Sequence, residues 1–217
     1  MAAGKPGARA AKAAQTRSRM LAAARELFVQ RGYTATTMQA IADEAAVAVQ
    51  TLYFTFETKR AILKELLDVE VAGDTAPIAT LDRPWVAQAL AAPPADMLRR
   101  LVEATGAIHD RVAPVMEAVR SAATTDPVIA EMWRTNIAQR HTVLSVFTGA
   151  LAAKGGLRPG LNAARAADVA LATLAPETYR LLTGDRGWTH DEWIAWATQA
   201  LGDALLPRTG SLERPTS

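Results

Sequence analysis

The amino-acid sequence predicts an all-α protein. Apolar side chains recur at helical spacing along most of the 217 residues, and no run alternates apolar and polar residues over the length of a strand. Helix boundaries are also marked, because capping residues precede the periodic segments and glycines or prolines follow them. Half of the residues are apolar, which is typical of a globular chain with a core.

The N-terminal quarter predicts a helix-turn-helix. A first helix over 16–31 has one apolar face and ends at Gly32. Thr36, with Gln39 three residues later, forms a candidate capping box for a second helix. The turn that follows is short, and a third helix is expected over 49–55. Two helices joined in this way can place the second one in the major groove of DNA.

The rest of the chain predicts a larger helical bundle. Thr58 is expected to cap a fourth helix that ends near Gly73, after which four prolines between 77 and 94 interrupt the pattern. The further predicted helices are 85–90, 95–111, 114–123, 127–154 after an N-cap at Asp126, one capped by Asn162 and kinked at Pro176, and a last one with a Thr189–Glu192 capping box.

These elements divide the chain into four expected regions, and charge is unevenly distributed among them. The regions are a flexible basic tail over 1–14, a small helix-turn-helix domain over 15–60, a larger helical domain over 61–207 and a disordered tail over 208–217. Residues 1–60 contain nine basic and four acidic side chains, whereas the remaining 157 contain 15 basic and 18 acidic ones. A basic N-terminal part suits a polyanionic partner.

The residue inventory argues against several classes of protein. Without cysteine the chain has no disulfide, thiol nucleophile or thiolate metal site, and cytoplasmic residence is expected. The three histidines are far apart in sequence, and no GxGxxG or GxSxG motif occurs. No apolar run reaches the roughly 18 residues that a membrane-spanning helix needs. We therefore expect no enzyme, no cofactor, no metal site and no membrane partner.

Residues 16–70 resemble the N-terminal domain of TetR-family transcriptional regulators. The matching residues are Thr16-Arg17, the AAARELF segment at 22–28, Gly32-Tyr33, Ala35-Thr36-Thr37, Ile41-Ala42, Ala45, Val47, Thr51-Leu52-Tyr53, Phe56 and Lys59. The resemblance implies that 15–60 is a three-helix DNA-binding domain and that 61–207 is a helical-bundle domain for effector binding and dimerisation. It also assigns Lys59 to a DNA phosphate.

Side chains around the second and third helices are the candidate DNA contacts. Thr36 and Thr37, at a helix start, offer hydroxyls and amides to a phosphate, act as caps, or do both. Gln50 can pair with adenine as a base reader, or it is a solvated surface residue. Tyr53 reaches a phosphate with its hydroxyl unless its ring is buried in the small core. The full predicted set is Thr36, Thr37, Val49, Gln50, Thr51, Tyr53, Thr55 and Lys59.

Four positions depart from the usual TetR pattern. Ala46 replaces a turn glycine, so a positive φ there would cost roughly 1 kcal/mol. Ala48 replaces a Ser or Thr cap, a loss of about 1 kcal/mol. Gln50 stands where glycine is frequent and Thr55 where histidine is frequent. We therefore expect an operator sequence that is particular to this chain.

The resemblance also implies roles for the C-terminal half. The segment 175–206 is similar to the closing helix pair of TetR-like regulators, so a homodimer through the last two helices is expected, with burial inside one chain as the alternative. Two copies would place two recognition helices on successive major grooves of a pseudo-palindrome. The candidate effector contacts, polar or aromatic residues among apolar helices, are Met116, Arg120, Trp133 and Tyr179.

We therefore expect a ligand-responsive DNA-binding transcriptional regulator. Its partners would be a double-stranded DNA operator, a small-molecule effector and a second copy of the chain. A repressor that releases the operator when the small molecule binds is the expected form. The alternative is an all-helical small-molecule-binding or catalytic protein that has lost DNA binding, an interpretation supported only by the weak turn and cap.

Overall fold

The computed structural model describes residues 6–74 and 78–208, and every regular element within these ranges is helical. The all-α prediction is therefore confirmed. The helices are α1 (Pro6–Ala35), α2 (Met38–Glu44), α3 (Val49–Phe56), α4 (Lys59–Ala72), α5 (Pro84–Ala91), α6 (Pro94–Ala122), α7 (Pro127–Ala153), α8 (Ala163–Thr173), α9 (Pro176–Arg180) and α10 (His190–Leu205). Within the described ranges, none of them is long and apolar enough to cross a membrane. Residues 1–5 and 209–217, which belong to the two predicted tails, lie outside the described residues.

The helices form two compact units. The first unit contains residues 6–74 and 114–134, and the second contains residues 78–113 and 135–208. The first unit extends past the predicted domain boundary at residue 60, because α4 packs against α1 and α3. Ile62 and Leu63 on α4 are fully buried there. The small domain therefore needs a fourth helix to close its core.

Three prolines act differently from the predictions. Pro6 opens α1, so residues 6–14 are helical rather than a flexible tail. Alanine, the best helix former, dominates that stretch, and proline is tolerated in a first turn. Pro114 lies inside α6, where it removes one backbone hydrogen bond without separating the two predicted helices. Pro176 begins the separate helix α9 instead of kinking α8.

Side-chain caps confirm most of the predicted helix starts. The side-chain oxygens of Thr58, Asn162 and Thr189 each accept a hydrogen bond from the backbone amide three residues later. Glu192 accepts in return from the Thr189 amide, which completes the predicted capping box. Asp126 Oδ1 accepts from the amides two and three residues later, at 2.9 Å and 3.3 Å. These starts are local features, and the sequence predicts them for that reason.

The last helix fills the core of the second unit. Its inner face repeats at a spacing of four residues and consists of Trp193, Ala197, Leu201 and Leu205, all without solvent exposure. They belong to the same cluster as Leu101 on α6 and Phe147 on α7. Most of the apolar stripe that was expected at a dimer interface is therefore buried within one chain.

Candidate nucleic-acid interface

The turn between α2 and α3 has the conformation that makes alanine unfavourable. Ala46 adopts a φ of 51°, in the left-handed region. The Val47 amide donates to the Ala42 carbonyl at 3.0 Å and so closes the end of α2. The cost of roughly 1 kcal/mol that the sequence analysis attaches to a positive φ at Ala46 therefore applies. Ala48, the residue before α3, supplies no side-chain cap.

Ala46→Gly is expected to raise the free energy of unfolding by about 1 kcal/mol. Glycine removes the clash between Cβ and the carbonyl oxygen at positive φ, although its greater entropy in the unfolded chain offsets part of the gain. Urea denaturation of the full-length protein measures the change. Ala45→Gly, at a helical φ of −74°, is the control and should be destabilising. An Ala46→Gly variant no more stable than wild type contradicts the strain at this turn.

The helix α3 has one buried face and one open face. Leu52 and Phe56 are buried, as predicted, and attach the helix to the core of the first unit. Gln50 and Thr51 are exposed, and Tyr53 is 50% exposed. The predicted base reader and the predicted phosphate contact of Tyr53 therefore lie on one accessible surface, and Tyr53 is not buried in the core.

Two of the other predicted contacts on α3 are less open, and one exposed residue was not predicted. Val49 and Thr55 are half-buried, and the Thr55 hydroxyl donates to the Thr51 carbonyl at 2.7 Å. Phe54 is 91% exposed. It lies opposite Leu52 and Phe56 on the helix, a position that their spacing in the sequence already indicates.

The two threonines before α2 have different roles. Thr36 is 1% exposed, and its hydroxyl lies 2.8 Å from the Gly32 carbonyl. The predicted phosphate contact of Thr36 is therefore wrong, because the non-helical backbone at Gly32 and the hydrogen bonds to the Gly32 and Leu27 carbonyls hold the side chain inward. Thr37 is the N-cap instead, and its Oγ1 accepts from the Ala40 amide at 3.1 Å. Thr37 is exposed and keeps its hydroxyl proton for a phosphate, whereas the predicted Thr36–Gln39 capping box does not form.

Lys59 is held by the protein itself. Its Nζ donates to the carbonyls of Tyr33 at 2.7 Å and Thr36 at 2.6 Å. It also lies 4.2 Å from the centroid of the Tyr33 ring. Burial lowers the pKa of the Lys59 ammonium, and the charge of Asp126 acts in the opposite direction. The ammonium thus satisfies carbonyls at and just after the end of α1, and the phosphate contact of Lys59 stays a prediction.

Two arginines fasten the helices around α3. The Arg17 guanidinium makes two hydrogen bonds to the Glu65 carboxylate and lies 4.5 Å from the centroid of the Phe56 ring. Its hydrogen bond to Glu65 raises the pKa of Arg17. Arg60 donates through Nε and Nη2 to Asp126 Oδ2, at 3.1 Å and 3.0 Å. Both charges are compensated within the first unit, where the two ion pairs join α4 to α1 and to the residue before α7.

The four predicted effector contacts are divided between the two units. Met116, Arg120 and Trp133 belong to the first unit and Tyr179 to the second. Arg120 is exposed and forms a salt bridge with Glu117 at 2.7 Å. It is therefore not the buried cation that an anionic effector would need. No group of three or more metal-ligating side chains occurs among the described residues.

Tyr179, a predicted effector contact, belongs to a polar cluster inside the second unit whose other members were not predicted. His109 is 3% exposed, and its Nε2 lies 2.8 Å from the Leu174 carbonyl. The ring centroids of Tyr179 and Trp193 lie 5.7 Å and 5.9 Å from that of His109. Among the described residues, neither His109 Nδ1 nor Trp193 Nε1 has a hydrogen-bond partner. Buried polar atoms without partners are unusual, so this cluster is a better candidate for effector contact than Arg120.

Comparison with known families matches the N-terminal part of the chain. Residues 20–66 match the family model of bacterial regulatory proteins, tetR family. The matched range includes the second half of α1, all of α2 and α3, and the first half of α4. No curated protein matches the chain.

Solved structures match nearly the whole chain. A proposed transcriptional regulator from Saccharomonospora viridis, in complex with choline, is similar over 90% of this chain and 100% of that chain, with 24% identity and a TM-score of 0.69. NalD, the secondary repressor of the MexAB-OprM multidrug efflux pump in Pseudomonas aeruginosa, is similar over 90% and 98%, with 19% identity and a TM-score of 0.67. A TetR transcription regulator from Haloarcula marismortui is similar over 88% and 99%, with 16% identity and a TM-score of 0.66. These likenesses show the fold.

Proposed function

Because the chain belongs to the TetR family of bacterial regulatory proteins, we propose that it is a ligand-responsive transcriptional regulator that binds a pseudo-palindromic operator in double-stranded DNA. We propose further that it is a repressor, which releases the operator when a small molecule binds its helical domain. Such a regulator would act in the cytoplasm, together with the DNA.

The open face of α3 carries this proposal. The Gln50 amide is exposed. In the major groove, one such amide can donate to N7 of adenine and accept from N6 at the same time, which is a bidentate contact. The hydroxyls of Tyr53 and Thr37 are accessible to phosphates on either side of such a contact. Since Leu52 and Phe56 anchor the helix, little ordering is needed on binding.

Gln50→Ala is expected to weaken binding to the operator about tenfold, because a lost bidentate base contact costs about 1–3 kcal/mol. Fluorescence anisotropy on DNA that flanks the protein's own coding region, at one fixed salt concentration, measures the loss. Binding to unrelated DNA should change little, since Gln50 would contact a base and not a phosphate.

The matched control is Gln88→Ala, an exposed glutamine on α5 in the second unit. It should bind the operator as the wild type does. If the Gln50→Ala variant bound the operator as tightly as the wild type, Gln50 would not be a base reader. A wild-type protein that binds none of these duplexes would instead favour the all-helical protein without DNA binding.

The His109 cluster supports the small-molecule part of the proposal. The rings of Tyr179 and Trp193 provide apolar contact area, and His109 Nδ1 and Trp193 Nε1 are buried polar atoms that a ligand could satisfy. The Saccharomonospora viridis protein holds choline, so a protein of this fold does bind a small molecule. An effector would change DNA binding only if it binds two conformations with different affinities.

A homodimer through the last two helices completes the proposal. Twofold symmetry would place two α3 helices on successive major grooves, which matches a pseudo-palindromic operator. Because the inner face of α10 is buried in its own chain, the contact would use the opposite face, which includes the exposed Ala195 and Gln199.

A further inference from the structure

A groove beside the recognition helix α3 is lined partly by Thr51 and Thr55, but its side formed by the start of α1 is not used by the contacts described above. It has a volume of about 470 Å³ and lies within the first unit, between the N-terminal part of α1 and α3. Arg9, Lys12, Ala13 and Met20 line it from α1, and Thr51 and Thr55 line it from α3. The groove exists because α1 begins at Pro6, well before the core-forming part of the helix.

The cations at this groove are available to a partner. Arg9 and Lys12 are exposed, and neither forms an ion pair or hydrogen bond with the described residues. Arg17, further along the same helix, is compensated by Glu65. The positions of Arg9 and Lys12, three residues apart, place both side chains on one side of α1. The net charge at the groove entrance is therefore positive.

The chemistry of the groove matches a nucleic-acid backbone. Its walls include the apolar side chains of Ala13 and Met20, while the charges come from Arg9 and Lys12. A DNA strand has the complementary pattern, since each deoxyribose offers an apolar surface and each phosphate carries a negative charge. Continuity with α3 through Thr51 places such a strand next to the bases that α3 would read.

We propose that this groove binds the sugar–phosphate backbone of a DNA strand, with Arg9 and Lys12 each contacting a phosphate. The proposal rests on the proposed DNA-binding function and extends the contact surface beyond the helix-turn-helix. The contact is independent of base sequence, because only phosphates and sugars are touched. The helical form of residues 6–14 holds the two cations in position, which a flexible tail would not.

The test compares the salt dependence of DNA binding for the full-length wild type and the Arg9→Ala/Lys12→Ala double variant. The probe is a mixed-sequence duplex of about 30 base pairs, roughly three turns of B-DNA. Each lost phosphate contact reduces the slope of log K against log salt by about 0.9, so the double variant should lose about 1.8. When the salt concentration rises from about 50 to 200 mM, the affinity of both proteins falls. The factor by which it falls should be about 12 times larger for the wild type than for the double variant. Alanine is the best helix former, so α1 is expected to remain folded.

Two controls define the outcome. Arg9→Lys/Lys12→Arg keeps both charges and should keep the wild-type slope, and Arg100→Ala removes one exposed charge from the second unit and should also keep it. A slope in the Arg9→Ala/Lys12→Ala variant equal to that of the wild type overturns the groove proposal alone. A wild type that binds no duplex at any salt concentration overturns the proposed function, and this proposal with it.

Discussion

Lys59→Met is expected to lower the free energy of unfolding by about 3 kcal/mol. Hydrogen bonds from a charged group contribute about 1.5–3 kcal/mol each. Lys59 donates two short ones, to the Tyr33 and Thr36 carbonyls, and a longer one of 3.5 Å to the Thr34 carbonyl. Without the ammonium these carbonyls at the end of α1 lose a partner in a half-buried site, and the contact with the Tyr33 ring is lost as well. Methionine keeps the length of the apolar stem, so the effect reports on the charge. Urea denaturation of the full-length protein measures it.

Lys64→Met is the matched control on the same helix. Lys64 is exposed and, within the part of the chain that the structure describes, pairs only with the exposed Asp68, at 2.9 Å. Such surface bridges contribute about 0–1 kcal/mol. The salt dependence of DNA binding separates the two possible roles of Lys59. If Lys59 were a phosphate anchor, Lys59→Met would leave stability near that of Lys64→Met and lower the salt slope by about 0.9. The observed hydrogen bonds predict a large loss of stability and an unchanged slope.

Local signals explain which parts of the fold follow from the sequence. A capping residue such as Thr58 or Asn162 acts on amides three residues away, so its effect is visible in the sequence. The inward direction of Leu52 and Phe56 likewise follows from helical spacing. The strain at Ala46 is predictable because the geometry of the turn is local as well.

The roles that the sequence does not reveal depend on contacts between distant segments. Thr36 precedes a helix and so looks like a cap, but the conformation of Gly32 buries its hydroxyl against carbonyls of α1. Lys59 is separated from the Tyr33 carbonyl by 26 residues, and no local pattern announces that hydrogen bond. In the second unit, Leu174 is 65 residues from His109. Binding sites assembled from such contacts require the fold to be known.

Acidification is expected to destabilise the second unit through His109. Burial lowers the pKa of His109 to about 4 from an ordinary 6.5; the hydrogen bond to the Leu174 carbonyl opposes this, and the charge of Arg140 adds to it. The Leu174 carbonyl can only accept, so Nε2 carries the proton of the neutral ring. A second proton would enter at Nδ1, which has no acceptor among the described residues.

The sign of the effect follows from where the proton binds. The unfolded chain takes up a proton near pH 6.5 and the folded chain only near pH 4, so the stability from neutral His109 is complete above about pH 6.5 and is lost as the pH falls towards 4. At about 1.4 kcal/mol for each unit of pKa, the total loss is about 3 kcal/mol, of which about 2 kcal/mol appears by pH 5. Tryptophan fluorescence during urea unfolding measures it, because four of the five tryptophans lie in the second unit.

His109→Gln isolates this residue from the other titrating groups. Glutamine can still donate to the Leu174 carbonyl but does not titrate, so the variant should lose most of the pH dependence between about pH 7 and 5. His190→Gln, which alters the neighbouring histidine at Tyr179, should retain the dependence. Hydrogen bonds from Thr189 lower the pKa of Glu192, so that carboxylate contributes only at lower pH. A His109→Gln variant with the pH profile of the wild type would show that His109 is not buried as a neutral ring. It would also weaken the proposal that His109 Nδ1 forms a hydrogen bond with an effector.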